Sequence, residues 1–549
     1  MAFDFANFRA GNIASNAELA NDTGLTEATT TITKARPTPR TTSTGKKIGR
    51  PKGSTATASE NAKKRKIEEE FIPRKSTRSR AAKATNQEER DAIIEQNVKE
   101  EAERKEQERQ LKHLPKQLEA LKGVNGSKDD ASFKEIIKEL ADFTLAKEDE
   151  NDGWKLGERP GYEEGVLESM IGDMSLRSIV RVVPERIYSL AVHPDTTKDL
   201  VFAGDKIGHV GLWDATNAGK IPEPSTSIRG VKKEEEGAAD EDDGEEGATG
   251  EPSQGKHWLW KAHNKGSVSC LKFRPHDTKR IYSACYDRTL RVHDFETGMS
   301  TEVIDADDDN FDGLLHSFDF DPTGNELWTT DGDGGLHWRD LREPITQVKR
   351  WQIDKSKVGC ISINPARPSL AATAHLKRDM RLWDLNKLRG LSTDSSTEEI
   401  ANQAMIVAYL HGKACSSSYF DPSGTRLLST SYDDCLRVWD IDPFKAEEQV
   451  EQGFEPNEIF SHNCQVGRFV TVLRAFWSTL PPSIAPPHIH VGNMRRALDV
   501  FHPNGTKAKC FQNELISAVP AVTANHPSLP DKYFGGSASG KIAYFAKPL

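Results

Sequence analysis

The chain has 549 residues, 29% of them charged, and a formal net charge of −10. That length excludes a single ordinary domain unless the chain is built of repeats, and the average charge argues against a partner as anionic as nucleic acid. The 7 scattered cysteines form no CxxC pair, so neither a zinc site nor a disulfide framework is indicated, and no run approaches the roughly 18 apolar residues of a membrane span.

The opening MAFDFANFRAGNIASN lacks the basic and apolar regions of a secretory leader. A soluble intracellular protein with reduced thiols and no membrane partner is therefore expected.

Residues 1–85 are rich in Thr, Ala, Ser, Lys and Arg and poor in large apolar side chains, which predicts a disordered basic arm. Between Thr31 and Arg80 there are 15 Lys or Arg against 4 Glu, so the sign of the whole chain is locally reversed. Within the arm, Lys46-Lys47-Ile48-Gly49-Arg50-Pro51-Lys52 resembles an AT-hook, whose extended Gly-Arg-Pro core (Gly49, Arg50, Pro51, with Lys52 following) lies in a narrow A·T minor groove. Lys63-Lys64-Arg65-Lys66 resembles a nuclear-localisation cluster. An ordinary basic tail is the alternative for both. Residues 86–150 read as a charged helical segment, first a solvated Glu/Lys/Arg/Gln-rich helix and then a short helix from Ser132 to Leu145 with an apolar stripe.

Beyond about residue 170 short β-type runs recur with a common ending: VGLWD (210–214), LRVHD (290–294), LHWRD (336–340), MRLWD (380–384) and LRVWD (436–440), then the weaker ALDVF (497–501) and KIAYF (541–545). A second marker precedes most of them, an apolar strand closing on a Pro turn: LAVHP (190–194), LKFRP (271–275), FDFDP (318–322), ISINP (361–365), SYFDP (418–422) and ANHP (524–527). Two markers at matching offsets predict an all-β fold, a seven-bladed WD-repeat β-propeller over 170–549, because each small sheet buries its faces only against its neighbours. Arg177 to Val183 should be the outer strand of the last blade, closing the ring. An acidic insertion at about 217–256, containing EEEGAADEDDGEEG, interrupts the first unit and could attract histones.

His263, Ser283 and Asp287, and likewise His411, Asp433 and Trp439, match the structural hydrogen-bond network of such repeats and not a catalytic triad, which need exist only once. His488 and His490 have no carboxylate or Cys cluster for a metal, and Asp331-Gly-Asp-Gly-Gly335 is a turn. No catalytic residue, cofactor, metal or small-molecule substrate is expected.

Positive charge instead recurs in two loop types. Before the first strand of several units stand Lys265, Lys355 and Lys357, Lys413 and Arg468; in the second hairpin turn stand Lys206, Arg288, Lys377 and Arg378. Arg495 and Arg496, with Asn493 and Gln465, extend the set, and His462 and Trp477 are weaker candidates. Both loop types open on one rim, so a basic face for a phosphate backbone is predicted.

The peptides VVPERIYSLAVHP (182–194), LVFAGDKIGHVGLWD (200–214), HNCQVGRF (462–469) and HVGNMRRALDVF (490–501) resemble the fungal DNA-damage-binding WD-repeat family, which has an animal relative in WD repeat-containing protein 76. The resemblance covers about 150–549. It implies a nuclear protein that binds DNA, preferring ultraviolet-damaged duplex, and associates with chromatin and with replication-stress and protein-quality-control responses. It also implies likeness to the damage-recognition subunit of a cullin ubiquitin ligase, for which Arg339-Asp340-Leu341-Arg342 is the nearest match to an adaptor-docking Trp-Asp-x-Arg. The expected function is non-enzymatic binding of damaged DNA in the nucleus, possible presence in the cytoplasm included; the alternative is a chromatin or ubiquitin-ligase scaffold.

Overall fold

A computed structural model describes Val98 and residues 114–122, 129–145, 154–163, 165–219, 254–305, 313–344, 347–451, 453–467 and 469–548. The basic arm with its AT-hook-like and localisation-like clusters, the first charged helix, most of the acidic insertion and Arg468 lie outside the described residues.

Seven antiparallel sheets make up the described propeller; in five of them the strands follow sequence order from the inside outward, while blades 2 and 7 each take an outer strand from earlier in the chain. Every WD-type ending is a third strand, from His209–Asp214 in blade 1 to Lys541–Ala546 in blade 7, and every Pro marker ends a first strand. The strands are mostly buried on both faces, several along their whole length, and six indoles are among the largest side chains they bury: Trp213, Trp260, Trp328, Trp351, Trp383 and Trp439. Each removes a large apolar face from water, worth several kcal/mol at about 25 cal/mol per Å2.

The ring closes as expected. Ser175–Arg181 pairs antiparallel with Lys541–Ala546, Ser178 facing Tyr544 and Val180 facing Ile542, so the start of the propeller supplies the outer strand of its last blade. The amides of Val182 and Val183 then donate to the Gly540 carbonyl at 3.0 and 3.3 Å.

Residues before 170 also belong to the folded body. Lys116–Gln117 adds a fifth strand to blade 2, opposite Ser300 and Met299. The second expected helix spans Asp130–Asp142, capped by the Asp129 carboxylate on the Ser132 amide, and buries Phe133, Ile136 and Leu140. These three, spaced along one helical face, pack with Leu118 and Ala120 against Trp258 and Trp260. The Trp258 Nε1 donates to Ser132 Oγ at 2.8 Å. A shorter helix, Val166–Ile171, buries Leu167 and Ile171 against Leu498, Val500 and Phe511.

Candidate nucleic-acid interface

The loops entering each blade and the turns between its second and third strands are hydrogen-bonded to one another, which puts them on one rim. His263 N donates to Gly208 O, Leu376 N to Lys357 O, His411 N to Arg378 O, Tyr432 N to Ala414 O and His462 N to Asp434 O. Buried side-chain networks hold these loops from below. In blade 2, His263 Nε2 meets Ser283 Oγ at 2.7 Å and His263 Nδ1 meets Asp287 at 3.2 Å, while Ser283 Oγ also meets His293 at 2.8 Å. Blade 4 builds the same device from other positions: Asp354, His375, Thr373 and Trp383 form a chain with links of 3.1, 2.8 and 2.8 Å. Blade 5 departs from expectation. His411 bonds Ser429 at 2.8 Å, Asp433 turns to Arg437 instead, and Trp439 only stacks edge-on against His411.

Two of these networks bring metal-ligand types together, His263 with Cys285 and Asp287, and Asp354 with His375 and Asp379. Their atoms are already engaged: Asp287 accepts from His263 and Thr289, and Asp354 from His375, Lys377 and Arg381. Burial also pushes the Cys285 thiol well up, away from the thiolate a metal needs.

On this scaffold the residue just before the third strand has a positive φ in all seven blades. It is Gly208, Arg288, Gly334, Arg378, Asp434, Arg496 and Gly540 in turn, with φ between 63° and 93°. A left-handed backbone suits glycine and tolerates Asp, but is unfavourable for a long side chain by roughly 1–2 kcal/mol. Arginine nevertheless occupies it in blades 2, 4 and 6. Arg378 is exposed there and its Nη1 reaches the Gly412 carbonyl at 3.4 Å; Arg496 is exposed beside Arg495.

The remaining basic candidates divide. Lys206, Lys265, Lys355 and Lys413 are exposed on the rim. Lys206 stands in the corresponding turn of blade 1, two residues before the left-handed Gly208. Lys377 is held by Asp354 at 3.0 Å, where Arg381 and His375 also converge, so its charge is largely balanced. Lys357 turns inward and lines the central channel. Asp333 occupies the blade 3 turn, and in blade 5 Asp433 is paired with Arg437 at 2.8 Å while Asp434 caps the Cys464 amide at 3.0 Å. The turns of blades 3 and 5 therefore interrupt the basic face, while Lys413 remains exposed in the loop entering blade 5. Asn493 serves the turn itself, donating to Asp499 and accepting from Arg495 N, and Gln465 donates to Asp434. His462 is buried, and Trp477 donates to the Tyr419 carbonyl inside the channel.

The WD domain, G-beta repeat family matches residues 256–294 and 407–440, each span running from the last strand of one blade into the next. Longer similarity is found to fungal proteins named DNA damage-binding protein CMR1. The chain is 35% identical over 434 residues to that of Cryptococcus neoformans, covering 68% of this chain and 70% of the relative. The chain belongs to the CMR1 family. The relative in Mycosarcoma maydis is 29% identical over 487 residues, with 70% and 74% covered, and that in Phaeosphaeria nodorum 33% over 370, with 66% and 65%.

Sequence reading of this CMR1-family chain missed three features, one of them in the channel beneath the face. Arg186 enters blade 1 with its guanidinium 5.9 Å from the Tyr188 ring. Arg474 lies in the first-strand region of blade 6, where the Pro marker is lacking. Large apolar side chains also stand out from the same rim, among them Leu376, 57% exposed, Phe469, 69%, and Leu515, 74%. As for the Arg339–Arg342 tetrapeptide, Arg339 is buried and donates to the Val303 carbonyl, while Arg342 is exposed and forked onto Asp340 at 2.9 and 2.6 Å.

Proposed function

We propose that the chain is a non-catalytic, nuclear DNA-binding propeller that prefers damaged duplex, including ultraviolet-damaged DNA, and grips it through the basic arc of its upper rim. The observation that carries this reading is the arginine held at a left-handed backbone position in blades 2, 4 and 6. Strained backbone persists where the surrounding structure over-determines it, and it clusters at functional sites. The names of the fungal relatives point the same way. Arg288, Arg378, Arg496, Arg495, Lys206, Lys265, Lys355 and Lys413 meet phosphates; Lys377 contributes less because Asp354 already holds it. Damage preference follows from deformability, since a lesion lowers the cost of bending or base extrusion. The arm, with its AT-hook-like Gly49 to Lys52, adds A·T-leaning affinity, and Lys63 to Lys66 direct the chain to the nucleus.

The test compares the full chain with one beginning near residue 110 on irradiated and intact duplex at several salt concentrations. Starting near 110, not 170, keeps the strand and helix that pack on blades 1 and 2. Loss of damage preference in both chains refutes the reading.

A second reading rests on the exposed Leu376, Phe469 and Leu515: a scaffold whose rim takes a protein partner, such as a histone, another chromatin protein or a cullin-ligase adaptor. Partners retained on the full chain after nuclease treatment of a nuclear extract, and lost on Phe469→Ser, support it.

A further inference from the structure

Below the rim, the inner strands enclose a channel of about 430 Å3, lined by blades 1, 2, 5, 6 and 7 and by Lys357 from the loop entering blade 4. Three cations face it, Lys272, Lys357 and Arg474, and no Asp or Glu does. In a chain of net charge −10 that is an unusual lining. Lys272 is matched by Asp319 at 2.7 Å. The other two are not matched. Arg474 donates from Nη2 to the Gly359 carbonyl at 3.1 Å, and among the described residues neither Arg474 nor Lys357 has a carboxylate within ion-pair distance.

The channel mouth also carries hydroxyl groups. Tyr188 and Tyr286 stand edge to face with ring centres 6.2 Å apart, and the Tyr286 hydroxyl meets His316 Nδ1 at 3.0 Å. Tyr419 lines the channel deeper down. Burial, and then the neighbouring Arg474, lower the Lys357 ammonium to about 8. The Arg474 guanidinium is opposed by burial and favoured by Tyr419, Cys360, Tyr286 and Cys270, with the net shift upward. Burial raises the Tyr286 and Tyr419 phenols and the Cys270 thiol, so they bring no negative charge to it near pH 7. Two cations thus press on each other inside a polar cavity that holds nothing anionic of its own, a state relieved by a bound anion.

We infer that this channel is a binding site for a doubly charged phosphate group, the form carried by inorganic phosphate and by phosphomonoesters, clamped between Arg474 and Lys357. Two unmatched positive charges fit a dianion better than the single charge of a backbone diester. Arginine supplies a planar fork for two oxygens, lysine a point charge, and the tyrosine hydroxyls can donate to the rest. The site stands apart from the rim, so its failure leaves the DNA reading untouched.

Calorimetric titration of the full chain with inorganic phosphate at pH 7, against chloride at matched ionic strength, tests the site. Saturable binding is expected, weakened about tenfold or more in Arg474→Met and in Lys357→Met, since each loses a charge-assisted hydrogen bond. Lys357 sits in a surface loop, so that variant decides the matter even if Arg474→Met does not fold. Absence of saturable heat, or equal affinity in a folded variant and the parent, overturns the inference. A short DNA strand with and without a 5′-phosphate identifies the source. Tighter binding of the phosphorylated strand, abolished by Lys357→Met, assigns a strand end; equal binding of the two strands alongside saturable inorganic phosphate assigns a free small phosphate.

Discussion

Replacing Arg288, Arg378 and Arg496 together by glycine separates charge from fold in one step. All three sit at positive φ, 71°, 83° and 63°, in the place where blades 1, 3 and 7 carry glycine. Glycine removes a left-handed penalty of roughly 1–2 kcal/mol per site and loses about 0.5–1 kcal/mol to the freer unfolded chain. The hydrogen bond from the Arg378 side chain to the Gly412 carbonyl, at 3.4 Å, is too long to change that balance much. The triple variant should therefore unfold at the same temperature as the parent or slightly above it. Its DNA affinity should fall, and the slope of log K against log salt should flatten by about 0.9 for each lost phosphate contact, about 2.7 in all. Fluorescence anisotropy on an irradiated duplex between low and moderate salt reads both quantities, and scanning calorimetry reads the stability. An unchanged slope would remove the arc from the DNA interface. A marked drop in melting temperature would show instead that these arginines are structural.

The opposite substitution at the same turn position should be harmful: in Gly540→Ala a Cβ would lie 2.0 Å from the Val183 carbonyl oxygen at φ 75°, and urea unfolding should show a loss of at least about 1–3 kcal/mol. Val180→Asp puts a charge between the two chain ends that close blade 7, where Val180 is 3% exposed and faces Ile542; a loss above about 3 kcal/mol is expected by the same measurement, and a tolerant propeller would contradict the closure. Burial holds His193, His411 and His488 down at about 4. The fold binds them neutral while the unfolded chain protonates them below about 6.5. Their contribution is thus complete above pH 6.5 and lost as pH falls towards 4, so stability should drop by about 1.4 kcal/mol per pH unit for each between those limits. A flat profile from pH 7 to 5 would show that these imidazoles are not shielded as the structure has them.

The propeller was readable because its signal repeats: a WD ending and a Pro turn mark the third and first strand of a blade whatever else varies, and even the closing strand could be placed from its alternating Ile and Val. Single features gave no such redundancy. Lys116–Gln117 is two residues long, and the stripe Phe133, Ile136, Leu140 says that a helix face is buried without saying against what; only Trp258 and Trp260 of blade 1 answer that. Arg474 escaped because blade 6 lacks the Pro marker, so nothing in the spacing put residue 474 on a channel-facing strand.

The rim shows where counting residues stops short of geometry. Lys206 and Arg288 fall in equivalent turns of blades 1 and 2 by spacing, yet only Arg288 occupies the left-handed position, and Lys357 belongs to a rim loop by spacing while its side chain enters the channel. What distinguishes them is the backbone angle and the direction of the side chain, neither of which a spacing rule contains. The same angle explains why glycine and arginine can alternate there. The network beneath fixes the turn through its neighbours, His263 with Asp287 in blade 2 and Asp354 with His375 in blade 4. With the backbone held from below, the residue at the crest is released from forming the turn, and it can be chosen for what it presents outward.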